Sequence, residues 1–99
     1  MKSILQTRKE CFLTGKVGKL HEHHVFGAGL RKTSEKYGLK IWLVPELHNM
    51  APDGNDVHHN RQLSDSIKKY AQKMAMFHYG WSMNDWMRLF HKNYLEDEE

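Results

Sequence analysis

Six of the eight histidines in this chain fall between residues 21 and 59: His21, His23, His24, His48, His58 and His59. Four of them form adjacent pairs, His23-His24 within Leu20-His21-Glu22-His23-His24-Val25-Phe26 and His58-His59 within Val57-His58-His59-Asn60. Imidazole titrates near neutral pH and is a common metal ligand, so such a cluster offers two chemistries, holding a divalent ion and moving a proton. On a strand, successive side chains face opposite ways, which puts His21 and His23 on one face and Glu22 and His24 on the other. His23 and His24 then cannot readily chelate one ion, and the geometry favours a split of roles: one imidazole on metal, the other free to deprotonate water. A metal beside such a base can hold a phosphate oxygen and stabilise a departing 3′-oxygen, and the two together make a phosphodiesterase. His48 and the pair His58-His59 would supply the second half of the site. Helix neighbours lie about 100° apart, so one of His58 and His59 is expected to face the site and the other solvent or phosphate. The competing reading is a set of surface or hydrogen-bonded structural histidines.

The elements that must position these residues are legible in outline. Residues 10–26 read as a β-hairpin, with Cys11-Phe12-Leu13 leading into a turn at Thr14-Gly15-Lys16-Val17-Gly18 and a return strand from Lys19 to Phe26. Leu30 to Tyr37 reads as a short basic helix closed by Gly38 in the left-handed cap position. Lys40-Ile41-Trp42-Leu43-Val44 is a β-prone run stopped by Pro45, which opens a helical turn carrying Glu46, Leu47 and His48. Pro52-Asp53-Gly54-Asn55-Asp56 is a strong turn signal. Asn55 or Asp56 then caps the longest helix, over 57–78, with Leu63, Ile67, Tyr70, Ala71 and Met74 at helical spacing. Gly80 stops it, and a last helix starts at Ser82 with Asp85 closing a capping box, its buried stripe being Met83, Trp86, Met87 and Phe90.

The chain is 99 residues long, 39% hydrophobic, with eleven aromatic rings, enough for one folded domain with a modest core. No apolar run approaches the roughly 20 residues that span a bilayer, and the first residues lack the apolar stretch of a signal peptide. A single cysteine, Cys11, permits no internal disulfide and fits a reducing cytoplasm. Four of the twelve acidic residues occupy positions 96–99, so residues 1–95 carry 15 basic against 8 acidic side chains. That basic body suits a polyanionic partner. Three parts are expected: an N-terminal extension over 1–9, the domain proper over 10–95 and an acidic tail over 96–99.

Beyond these patterns, LHEHHVFG, RKTSEKYGLKIWL, LVPELHN, GNDVHHN and AQKMAMFHYGW…NYL resemble phage-encoded HNH (His-Me finger, ββα-metal) endonucleases and, more distantly, the phage recombination-enhancement nucleases. The likeness runs over roughly residues 10–95. It implies an α+β fold in which a β-hairpin and a helix, the ββα-metal arrangement, pinch one metal ion, with additional C-terminal helices. By position His24 matches the general base, His23 the strand's metal ligand and His48 the helix-start ligand, with His58 or His59 as a further ligand or phosphate contact. Relatives commonly carry two CxxC pairs on a structural zinc; here those positions read Cys11-Phe12-Leu13-Thr14 and Val44-Pro45-Glu46-Leu47, so that zinc site is lost and Val44 and Leu47 are expected to fill its space. The motif's middle asparagine is not evident before Trp42, where Leu39 and Lys40 stand, so His24 is held differently or less firmly than in relatives.

The function so implied is metal-dependent hydrolysis of DNA, nicking or cutting, with one divalent ion (Mg, Mn, Ni or Zn) and a bacterial host cytoplasm as the setting. Arg31, Lys32, Lys36 and Arg61, with Lys68 and Lys69, are the candidate phosphate contacts, without base-specific readout. The alternative is a catalytically degenerate HNH fold that binds DNA or a host protein, for example as an inhibitor of a host enzyme; a third reading is a histidine-based metal binder with no nucleic-acid role.

Overall fold

The computed structural model describes residues 1–49 and 56–95. The described chain is a mixed α+β unit built on two antiparallel strands, β1 (His21–His24) and β2 (Lys40–Leu43). Between them lie a 3-10 turn (Ala28–Leu30) and α1 (Arg31–Lys36); after β2 come α2 (Pro45–His48), α3 (Arg61–Tyr79) and α4 (Met83–Phe90). The register pairs His21 with Leu43, Glu22 with Trp42, His23 with Ile41 and His24 with Lys40. Among the described residues no helix is long and apolar enough to cross a membrane.

The partner of β1 differs from the sequence expectation. Residues 10–26 do not form a hairpin, because the segment from Cys11 satisfies its polar groups locally: the Cys11 N–H donates to the Lys16 carbonyl at 2.7 Å and the Gly15 N–H to the Cys11 carbonyl at 2.8 Å. Gly15 (φ 76°) and Gly18 (φ 111°) supply the positive φ the loop needs. β1 therefore pairs with the apolar run Lys40–Leu43, whose Ile41 and Leu43 are fully buried. The far edge of β2 is covered by the N-terminal segment and that loop. Ser3 Oγ donates to the Lys40 carbonyl at 2.6 Å, the Trp42 N–H to Gln6 Oε1 at 2.8 Å, and the Phe12 N–H to the Trp42 carbonyl at 2.8 Å. Both edges of β2 are thus occupied, and Leu5 sits in the core.

α1 ends as its sequence indicates. Tyr37 follows its last turn and Gly38 takes φ 72°, where a Cβ would collide with the Lys2 carbonyl oxygen. Pro45 opens α2, and Gly80 closes α3 at φ 68°. Ser82 and Asp85 form the complete capping box of α4.

The longest helix begins later than residue 57. The buried Asp56 accepts the His59 N–H at 3.0 Å, and its carbonyl accepts from His59 and Asn60, closing a separate turn over 56–60. Asn60 then caps α3 by accepting the Leu63 N–H at 2.9 Å. The turn signal at Pro52 to Asn55 and the acidic tail lie outside the described residues.

α3 presents Ile67, Ala71 and Ala75 to the core, and α4 presents Trp86 and Phe90, stacked at 4.1 Å between ring centroids. Met83 and Met87 stand at the exposed edge of that stripe and are not buried as expected, because an eight-residue helix lying on one side of the core covers only its Trp86 and Phe90 positions. Phe26, just past β1, meets Trp86 and Phe90 at 5.4 and 4.9 Å and ties the strand pair to the C-terminal helix. Burying a ring of this size contributes about 1.5–3 kcal/mol, which makes Phe26 a principal anchor of the histidine strand.

Candidate functional site

Strand alternation divides the histidines of β1 as their spacing requires. His21 and His23 lie on the face of Leu43 and Ile41, and Glu22 and His24 on the face of Trp42 and Lys40. On the first face His23 meets His48, at the end of α2, and His58, in the turn before α3. The ring centroids are 5.2 Å apart for His23–His48, 5.4 Å for His23–His58 and 4.9 Å for His48–His58. One nitrogen of each lies within 4.8 Å of the others. Ligands on one tetrahedral ion with bonds of about 2.0–2.1 Å stand roughly 3.4 Å apart, so the trio needs only a modest closure to share a metal.

The electrostatics suit the same purpose. Burial, reinforced by His48, His58, His24 and Lys68, pushes His23 down to about 3. His48 is lowered too, by burial and by His58 and His21, with Asp56 opposing. Both rings are neutral at neutral pH and offer a lone pair, the form that binds metal. His21 Nδ1 lies 3.0 Å from His48 Nδ1, so one ring donates and the other accepts. With its Nδ1 engaged, His48 has Nε2 left for a ligand.

Of the pair His58-His59, His58 joins the trio. His59 lies outside it, largely exposed, with Nδ1 at 2.7 Å from Asp56 Oδ1. The turn over 56–60, rather than a helix, produces this division.

On the opposite face His24 Nε2 lies 2.7 Å from Glu35 Oε1 of α1. The Lys40 ammonium donates to both Glu35 oxygens, at 3.1 and 3.0 Å, and stands 3.3 Å from Glu22. The Met1 amino group is 3.1 Å from Glu35 Oε2. Hydrogen bonds from His24 first, then Lys40, hold the Glu35 carboxyl down to about 2. Burial works against the charge on Lys40, but Glu35 and Glu22 offset it and hold its pKa above the ordinary value. Glu22, His24 and Glu35 also lie close enough to ligate an ion, but the ammonium of Lys40 already supplies the positive charge between the two carboxylates.

His23, His24, His48 and His58 line one open cleft of about 610 Å³, together with Arg31 of α1 and Ser64 and Lys68 of α3. A second hollow shares Glu22, His24, Ala28 and Arg31 with it and continues to Lys32 and Lys36. A third shares Val57, His58, Ser64 and Lys68 and continues to Arg61 and Lys92. The candidate phosphate contacts Arg31, Lys32, Lys36, Arg61 and Lys68 thus lie along one run of adjoining hollows with the histidines midway; Lys69 lines a further hollow, with Gln62 and Asn93, that adjoins the third through Asp65, Lys92 and Tyr94.

Three participants escaped the sequence reading of the site. His21 was visible only as a face-mate of His23, and its contact with His48 depends on where α2 ends. Glu35 and Lys40 carry no local motif; Lys40 is found only once β1 is paired with β2, and Glu35 only once α1 is folded onto them. Where the absent zinc pairs of the resemblance would lie, Cys11 is buried, and Val44 and Leu47 pack against the core. Burial raises the Cys11 thiol, but hydrogen bonds from the Thr14 side chain and the Val44, Leu13 and Thr14 backbones outweigh it and leave the pKa lowered. No family model, curated protein or solved structure matches the chain.

Proposed function

We propose that this chain is a metal-dependent endonuclease of the HNH type, hydrolysing DNA phosphodiester bonds with His24 as general base and His23, His48 and His58 as metal ligands. The observation that carries the reading is the convergence of a histidine trio and a separately held histidine on one cleft. Two further features support the ββα-metal arrangement. An antiparallel strand pair is followed directly by a helical turn bearing a ligand, His48. The Cys11 and Val44 corners, which would carry the absent zinc pairs, meet in space.

The donor set fits a divalent ion: three imidazoles from strand, helix end and turn, with room for substrate in the open cleft. When bound, Mg, Mn, Ni or Zn would polarise the scissile phosphate and offset the charge growing on the 3′-oxygen. The chain's own groups do the rest. His24 takes a proton from water; the hydroxide oxygen bonds to phosphorus as the P–O3′ bond breaks, and the leaving oxygen is protonated by water. Arg31 and Lys68, which both line the cleft, hold the flanking phosphates and offset the charge of the pentacoordinate transition state.

Plasmid cleavage with and without chelator tests this. Nicking that requires a divalent ion and falls about 10²–10⁴-fold in His24→Ala, the range of a lost general base, is the expected result. No cleavage with any of the four ions, or equal cleavage by His24→Ala, would sink it. DNA binding that weakens steeply with salt but leaves the strands intact would instead mark a binding module.

A further inference from the structure

We infer that Glu35 is a positioning residue for His24: its carboxylate fixes the imidazole in the tautomer that carries its proton on Nε2, leaving the Nδ1 lone pair to accept a proton from water. The inference rests on the reading of His24 as the base, and deepens it.

A neutral imidazole has one N–H and one lone pair, and its partners decide which nitrogen holds which. The partner of Nε2 is a carboxylate oxygen at 2.7 Å. An ionised carboxylate only accepts, so the proton between them belongs to Nε2. The ordering is the familiar one of an acid–base histidine held by a buried or anchored acid that itself stays ionised.

Glu35 is well placed to impose this orientation because it is itself held. Both of its oxygens receive the Lys40 ammonium. Lys40 lies directly across the ladder from His24, and its side chain is only 10% exposed. Base, acid and anchoring cation therefore stand on β1, α1 and β2, three elements locked together by the strand ladder and by Ser34, whose hydroxyl donates to the Leu39 carbonyl at 2.5 Å. Glu35 also offsets the charge of the buried Lys40 ammonium, so the tautomer of His24, which stability alone would not set, is the property that separates positioning from folding. The metal reading of the same cluster conflicts with the Lys40 ammonium lodged in it.

The test uses the full chain and two readouts. The first is long-range proton–nitrogen NMR of the histidine rings in the metal-free protein above neutral pH, with His24 assigned by loss of its signals in His24→Gln. The wild type is expected to show His24 as the Nε2–H form, Glu35→Ala a mixture of tautomers, and Glu35→Gln, whose amide oxygen still accepts, the wild-type form. The second is plasmid nicking at saturating Mn, where Glu35→Ala lowers kcat about 10–100-fold while KM and the calorimetric Kd for Mn stay within about twofold, and Glu35→Gln recovers much of the loss. An Nδ1–H tautomer in the wild type overturns the inference without any variant, and so serves if Glu35→Ala does not fold. Unchanged kcat in Glu35→Ala, or a loss carried wholly by metal affinity, overturns it as well. A wild type that holds the Nε2–H form through Glu35 yet cuts no DNA leaves the positioning role standing and removes the nuclease reading.

Discussion

The histidines of β1 differ in what surrounds them, and that difference is measurable before any substrate is added. His23 is pushed down to about 3, chiefly by burial and then by His48 and His58. Between about 3 and its ordinary 6.5, the unfolded chain takes up a proton that the folded chain refuses. Stability linked to His23 is therefore complete above pH 6.5 and is lost as pH falls through that window. His48, lowered for the same reason, adds in the same direction. Glu35, held down to about 2, loses its share only below the ordinary carboxyl range, so the histidines dominate between pH 7 and 5. The urea midpoint of the metal-free protein should fall over that interval, and His23→Gln should flatten the fall; an equally steep fall in the variant would contradict the assignment. His21 acts one step further out. Its Nδ1 contact fixes the His48 ring, so His21→Ala should weaken Mn binding about 10-fold by calorimetry, the usual effect of losing a ligand's outer partner.

At the scale of elements, the turn over 56–60 decides which of two adjacent histidines reaches the cleft. Its Asp56 is fully buried and holds both the His59 backbone and its ring. Asp56→Ala removes these bonds, so it should cost about 1–3 kcal/mol in urea denaturation and weaken metal binding by loosening His58. Unchanged metal affinity would show that His58 is placed by α3 alone. This turn also marks where the sequence stopped being legible. Elements bounded by chemistry internal to a few residues were readable: Gly38 and Gly80 as helix stops, Pro45 as a helix start, Ser82 with Asp85 as a cap. The partner of β1 was not, because Cys11–Leu13 and Lys40–Leu43 are both plausible strands by composition, and only the burial of Ile41 and Leu43 in the core favours the second. The start of α3 was missed because Asp56 and Asn60 are both good caps four residues apart, and the choice rests on a buried carboxylate that no local pattern reveals. The divided faces of β1 needed only the two-residue period of a strand, which is why His23 and His24 could be separated from sequence while Glu35 could not be found.

At the scale of the molecule, the basic body of the chain is not spread evenly around the site. Arg31, Lys32 and Lys36 line the hollows on one side of the histidines, and Arg61, Lys68 and Lys92 those on the other. The cations differ in how free they are to meet phosphate. Arg61 is 3.7 Å from Asp65, whereas Lys68 and Lys92 lean over the Tyr94 ring at 5.7 and 5.1 Å, contacts weak enough to exchange for a phosphate. A duplex lying along this run would neutralise about four to six phosphates, so log affinity should fall with log salt at a slope of about −4 to −5. Anisotropy titrations of a short labelled duplex between about 50 and 200 mM salt measure it. Position along the groove then separates binding from chemistry. Lys36→Ala, at the far end, should reduce the slope by about one and leave cleavage of saturating DNA unchanged. Lys68→Ala should reduce the slope by about as much and also lower kcat, since Lys68 lines the cleft with His23 and acts on it electrostatically. Equal effects of the two substitutions on kcat would mean the scissile phosphate does not sit beside the trio, and a flat salt response would mean the groove holds no polyanion.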